Sequence, residues 1–117
     1  MVRFIINKSK VGTFEYSLVE TDGEAILSSQ GYGSKQGCKI GISSVKSNAS
    51  ADVQYERKKG RNGKTSFNLL SHNGRVIGEG GKFASEASME KVIAFLKKKA
   101  KSAKIVDETR QRKRSSR

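Results

Sequence analysis

The chain has 117 residues and a formal net charge of +13, with one cysteine and neither proline nor tryptophan. That length allows one compact domain or two very small ones, and a piece of about 50 residues would bury too little core to stand alone. One cysteine excludes an internal disulfide, no run approaches the ~20 apolar residues of a membrane span, and the apolar run after Arg3 is too short for a secretory signal. The expectation is a cytoplasmic protein without a membrane partner, whose charge attracts polyanions.

In chain order, residues 3–8 read as a first strand, followed by a turn at Lys10-Val11-Gly12. Phe14, Tyr16 and Leu18 then alternate with Glu15 and Ser17, the pattern of a half-buried strand. Asp22-Gly23 marks a hairpin, because both turn positions must tolerate positive φ, and a third strand is expected near residues 24–28. Ser34 stands where an N-cap belongs. The helix after it carries Cys38, Ile42, Val45 and Ala49 on one face, although Gly37 and Gly41 each cost about 1 kcal/mol relative to alanine. Residues 51–53 read as a short fourth strand.

The same series then returns 51 positions later without a gap. Phe4 matches Tyr55, Gly12 matches Gly63, Tyr16 matches Phe67, and Gly23 matches Gly74. Tyr32 matches Phe83, Ser34 matches Ser85, and Ile42 matches Ile93. Turn glycines, apolar phase and helix start are preserved together, which establishes an internal duplication. In the second copy strands are expected at residues 55–58, around Phe67 and Leu69, at 75–78 and at 103–106. Its helix carries Met89, Val92, Ile93, Leu96 and Ala100 on one face. The repeats span about 2–53 and 54–108 of a single domain, and residues 109–117 form a basic tail, expected to be disordered when free.

The aromatic strands, the Asn/Asp-Gly hairpins, the aromatic-x-Ser before each helix and the second opening Tyr55-Glu56-Arg57-Lys58 together resemble the bacterial YegP family. The resemblance covers residues 2–108. It implies an α+β fold: two β(3)-α-β units forming one largely antiparallel sheet, with two helices on one side, a pseudo-twofold and exchanged terminal strands. It implies no established activity and brings no catalytic residues. Greater basicity and the extension from Thr109 to Arg117 set this chain apart from the usual pattern.

Catalysis requires a nucleophile, base or metal held by partners, and the inventory is thin. His72 adjoins the Asn73-Gly74 turn and reads as a solvated turn residue. Cys38 sits on an apolar helix face, where a buried thiol is the default. No spacing completes a metal site. Gly63-Lys64-Thr65 resembles the end of a phosphate loop, but the required first glycine falls on Lys58. Gly31-Tyr32-Gly33 lacks both the third glycine of a dinucleotide loop and its β-α-β setting. The lysines at the start of the first helix, Lys35 and Lys39, leave a phosphate contact at its N-terminus physically open. The expectation is a non-enzymatic protein with no cofactor and no metal.

Charge divides the repeats. Residues 1–50 carry six basic and four acidic side chains, and residues 51–117 carry eighteen and seven. One fold thus tolerates a near-neutral copy and a basic one. The excess falls in three clusters: Arg57, Lys58, Lys59, Arg61 and Lys64 around the first hairpin of repeat two; Lys97, Lys98, Lys99, Lys101 and Lys104 closing its helix; and Arg110, Arg112, Lys113, Arg114 and Arg117 in the tail. Lysines at a helix end also complement its dipole, and edge lysines also oppose aggregation. A basic arm on a basic domain points further, to contacts with nucleic-acid phosphates, RNA or a ribonucleoprotein favoured over DNA, by a monomer. Tyr16, Tyr32, Tyr55, Phe67 and Phe83 occupy apolar phases and are expected in the core rather than on bases. The alternative is a protein-interaction module with no nucleic-acid partner.

Overall fold

The strands that lead into hairpins end at turns that a glycine permits. In the computed structural model, which describes residues 2–60 and 63–110, the first repeat forms β1 (Arg3–Lys8), β2 (Phe14–Val19), β3 (Ala25–Ser28) and α1 (Lys35–Asn48). The second forms β4 (Tyr55–Lys59), β5 (Thr65–Leu70), β6 (Val76–Phe83) and α2 (Glu86–Lys99), and β7 (Lys104–Asp107) follows. Gly12, Gly23, Gly63 and Gly74, one in each hairpin turn, all have positive φ. Ser34 and Ser85 cap the helices, their hydroxyls accepting from the Gly37 and Ser88 amides. Such a cap is worth about 1 kcal/mol.

The seven strands form one sheet in the order β4-β5-β6-β3-β2-β1-β7. Neighbours are antiparallel except β1 and β7, which run parallel. The repeats meet at β3 and β6, where Ser28 lies directly opposite Glu79. Those two residues are equivalents at the 51-residue offset, so the pseudo-twofold passes between them. Both helices pack on one face of the sheet over a single core that includes Phe4, Ile6, Leu18 and Ile42 from the first repeat and Phe67, Leu69, Ile93 and Leu96 from the second.

Each repeat carries the same aromatic ladder through this core. Phe4 meets Tyr16 edge-on and Tyr16 stacks on Tyr32, as Tyr55 meets Phe67 edge-on and Phe67 stacks on Phe83. Tyr16, Tyr55 and Phe67 are buried, and Tyr32 and Phe83 pack against the core. Helix α1 touches strands of both repeats: Lys46 lies over the Phe4 ring of β1, while the Tyr55 hydroxyl of β4 donates to the Ala49 carbonyl at the end of the same helix.

One expected element takes another form. Residues 51–53 do not make a strand; the chain makes a 3-10 turn at Asp52–Gln54 and runs directly into β4. The duplication explains this. The strand that should follow α1 and the first strand of repeat two are the same stretch of chain. After α2 the corresponding stretch is free, becomes β7 and adds beside β1. A terminal strand is therefore exchanged at one edge of the sheet only, and among the described residues no strand lies along the outer edge of β4.

Candidate phosphate-binding surface

β4 is an edge strand, and alternation sends its basic side chains to opposite faces. Arg57 and Lys59 lie opposite Phe67 and Thr65 of β5 and so face the helices, whereas Lys58 lies opposite Ser66 and faces away. Arg57 is held there between two carboxylates. Its guanidinium grips Glu90 of α2 through Nε to Oε2 at 2.6 Å and Nη2 to Oε1 at 3.0 Å, and Nη2 also reaches Asp52 Oδ1 at 2.8 Å. Lys97 Nζ donates to the same Asp52 oxygen at 2.6 Å. Hydrogen bonds from Arg57 and Lys97 hold the Asp52 carboxyl down at about 2. Arg57 likewise holds Glu90 below the usual carboxylate range. Two cations thus offset two carboxylates, and neither is offered to a ligand. Lys59 pairs more loosely with Glu86, at 3.8 Å.

The first basic cluster is therefore divided. Lys58 lines a hollow of about 400 Å3 on the helix-free face together with Ser66, Asn68 and Lys82. Lys64 is exposed in the turn before β5. Arg61 lies outside the described residues.

The second cluster holds together better. After Lys97, bound to Asp52, come Lys98, Lys99, Lys101 and Lys104, all exposed and none in an ion pair among the described residues. Lys99 and Lys104 border one hollow of about 310 Å3 with Val2, Phe95 and Ser102. The turn from α2 into β7 brings them together: the chain passes through a 3-10 turn at Ala100–Ser102, and Lys104 then pairs with Arg3 at the start of β1. β7 is anchored by Asp107, which accepts from Lys35 of α1 at 2.9 Å and from the Thr109 amide at 3.0 Å. Burial opposes the charge of this carboxyl, yet Thr109 and Lys35 hold it down at about 2. The third cluster follows directly. Arg110 ends the 3-10 turn Glu108–Arg110, but its side chain, like Arg112, Lys113, Arg114 and Arg117, lies outside the described residues.

Cys38 is fully buried on α1, and burial, with the charges of Glu15 and Asp107, pushes its thiol up to about 11. It is a core residue held in its neutral form.

A cleft of about 420 Å3 is a feature the expected sites did not include. It lies between α1 and the β5–β6 turn, with Ile40 and Ser44 on one wall and His72 and Arg75 on the other. Its sequence signal lies in the repeat alignment: α1 has Gly41 and Ser44 where α2 has Val92 and Phe95. Gly41 is required by close approach, since a Cβ there would overlap the Tyr32 hydroxyl.

Comparison with known proteins agrees with this architecture. The family described as a domain of unknown function, DUF1508, matches twice, at residues 9–56 and 61–107. Each match ends on the strand after a helix, β4 in one case and β7 in the other. A UPF0339 protein encoded in the 5' region of a ptx operon of Stutzerimonas stutzeri is 44% identical over 104 residues, covering 89% of this chain and 94% of that protein. UPF0339 protein YegP of Escherichia coli K12 is 38% identical over 106 residues, covering 91% and 96%. The solution structure of E. coli yegP, a protein of unknown function, has a TM-score of 0.86 at 37% identity, covering 92% of this chain and 93% of that one. That of a UPF0339 protein from Shewanella oneidensis has a TM-score of 0.87 at 30% identity, covering 92% of each. With two family matches, one on each repeat, and relatives of this similarity over nearly the whole chain, the protein belongs to the DUF1508 family.

Proposed function

We propose that the protein is a non-catalytic module that binds nucleic-acid phosphates through the end of α2 and the segment that follows β7, with RNA or a ribonucleoprotein as the preferred partner. The observation that supports this most is the group Lys98, Lys99, Lys101 and Lys104: four exposed lysines at one end of one helix, without ion pairs among the described residues. The arginine-rich residues 110–117 continue the chain just beyond β7. Exposed cations without acidic partners attract a phosphate chain and release its counterions, which makes such binding steeply dependent on salt. The aromatic side chains that would stack on bases are committed to the core, so sequence readout has little part in this reading.

The test is fluorescence anisotropy with a labelled RNA hairpin, a DNA duplex and single strands over a salt series. Changing Lys98, Lys99, Lys101 and Lys104 together to Gln is expected to lower the slope of log affinity against log salt by about one for each phosphate no longer engaged. Changing Arg57 and Lys59 to Gln is expected to leave that slope nearly unaltered, since both face carboxylates. No binding to any strand at low salt, or an unchanged slope in the four-lysine variant, overturns the proposal.

A second reading has its own observation. Among the described residues the outer edge of β4 carries no strand, while β7 covers the matching edge of β1. A protein partner supplying one strand would fit there, and its binding would survive high salt and removal of residues 109–117.

A further inference from the structure

The two helices occupy equivalent places, so the cleft beside α1 can be compared with its counterpart beside α2. Along the face of α1 that borders the cleft, Gly37, Gly41, Ser44 and Asn48 stand where α2 carries Ser88, Val92, Phe95 and Lys99. Beside α2, Val92 and Phe95 are half-buried and pack on the core. Beside α1 the same two positions are reduced to a hydrogen atom and a hydroxymethyl group, and about 420 Å3 is left open. The fold tolerates larger side chains at these two positions, as Val92 and Phe95 show, although in repeat one the Tyr32 hydroxyl takes the space that a Cβ on Gly41 would need. Cavities of this size are in the range that holds small organic ligands.

The opposite wall changes in the same sense. The β2–β3 turn reads Glu20-Thr21-Asp22-Gly23-Glu24, and its equivalent β5–β6 turn reads Ser71-His72-Asn73-Gly74-Arg75. Three carboxylates are replaced by a serine, an asparagine and an arginine. No carboxylate is among the described residues lining the cleft, and Arg75 has no acidic partner among them. Hydroxyls of Ser44 and Ser47 lie along the helix side, with the Asn48 amide beside them donating to the Ser44 carbonyl at 2.8 Å. The apolar part of the lining comes from Ile40, Ile77 and the Tyr32 ring. Ile40 is 61% exposed, a large apolar side chain at the mouth of the cleft.

We propose that this cleft between α1 and the β5–β6 turn binds a small organic anion, a phosphate ester or carboxylate on a short planar or apolar body. Arg75 and the serine hydroxyls take the anionic head, a charge-assisted arrangement stronger than neutral hydrogen bonds. Ile40, Ile77 and Tyr32 take the body. The site is independent of the nucleic-acid reading, because the lysines at the end of α2 are not part of its lining.

The proposal is tested by amide chemical-shift mapping of the whole chain, titrated separately with phenyl phosphate, benzoate and uncharged benzyl alcohol. At least one of the two anions is expected to give saturable shifts centred on Gly41, Ser44, His72 and Arg75, and whichever binds tighter identifies the head group. Benzyl alcohol should bind about tenfold more weakly or worse, the loss of one charge-assisted hydrogen bond. Ser44→Phe, which installs the residue that repeat two carries, should abolish the shifts. Arg75→Glu, a turn substitution remote from the core, should weaken binding about tenfold or more while leaving the spectrum dispersed. Absence of saturable shifts with both anions, shifts centred on Lys98–Lys104 instead, or unchanged affinity in both variants overturns it.

Discussion

Set against each other at the 51-residue offset, the two repeats agree in their turns, caps and aromatic ladders and differ where they meet and at their outer edges. At the meeting of β3 and β6, Leu27 of the first repeat is equivalent to Gly78 of the second, and the two touch. A Cβ on Gly78 would lie 2.9 Å from Leu27 Cγ. Leu27 is buried at this seam. One repeat supplies the knob and the other the hole. At the outer edges, Ile6 of β1 is fully buried, with β7 beside its strand, whereas its equivalent Arg57 on β4 is tied to Glu90 and Asp52. A duplicated fold need not keep its copies interchangeable. Each has been fitted to a place: one to the covered edge and one to the open edge.

The seam offers the largest effect. Gly78→Leu, which gives repeat two the residue of repeat one, forces two leucines into space for one and is expected to destabilise by about 1–3 kcal/mol or more. Leu27→Gly leaves an unfilled hole and should cost about 2–5 kcal/mol, the range of large-to-small core changes, plus the backbone freedom of glycine. Exchanging both residues restores the total volume across the seam, so the double variant should be more stable than the sum of its parts. Urea denaturation of the four proteins measures the coupling. Strictly additive losses would mean that the two residues do not act as knob and hole.

The covered edge is expected to respond to acid. The Asp107 carboxyl is moved from an ordinary 3.8 to about 2, with Thr109 and Lys35 outweighing its burial. A carboxylate depressed in the folded state contributes stability that is complete above its ordinary value and lost as pH falls through about 2. β7 is held by this group, so the protection of the Ile105 and Val106 amides against exchange, corrected for intrinsic rates, should decline as pH drops from about 4 toward 2. Asp107→Asn should lower that protection at neutral pH and remove its dependence on pH in this window. Protection that is flat with pH in the unaltered protein would detach Asp107 from the anchoring of β7.

Most of this architecture was legible because the signals were local and repeated. The turn glycines and the capping serines Ser34 and Ser85 each depend on a few neighbouring residues, and each recurs in the other copy at the 51-residue offset. The missing strand at residues 51–53 was not legible in its own composition, since one stretch of chain cannot serve as the last strand of one unit and the first of the next. The basic clusters were visible as runs, but a run does not reveal which face of a strand each side chain takes. Arg57 and Lys58 are adjacent in sequence and point to opposite faces, one onto Glu90 and the other onto the open sheet. The cleft was the least legible. Gly37 and Gly41 read as defects of a helix until Tyr32 is placed against Gly41 and Ser44 stands across from the β5–β6 turn.

The smallest change in stability is expected at the open edge, where the comparison between Ile6 and Arg57 can be made directly. Arg57→Ile gives β4 the side chain that β1 carries under β7. The ion pairs it removes are largely solvent-exposed and should be worth no more than about 1 kcal/mol, so thermal or urea unfolding should change little. Association should change more. An edge strand bearing polar and charged side chains discourages pairing with a second copy, and an isoleucine at the head of the run 57–59 presents an apolar position beside unpaired backbone groups. Sedimentation velocity over a range of concentrations is expected to reveal self-association of Arg57→Ile that Arg57→Gln, still polar, lacks. If both variants stay monomeric, the flanking lysines alone protect the edge and Arg57 acts chiefly to orient α2. If both associate, the charge of Arg57 rather than its polarity is what keeps β4 apart from its like.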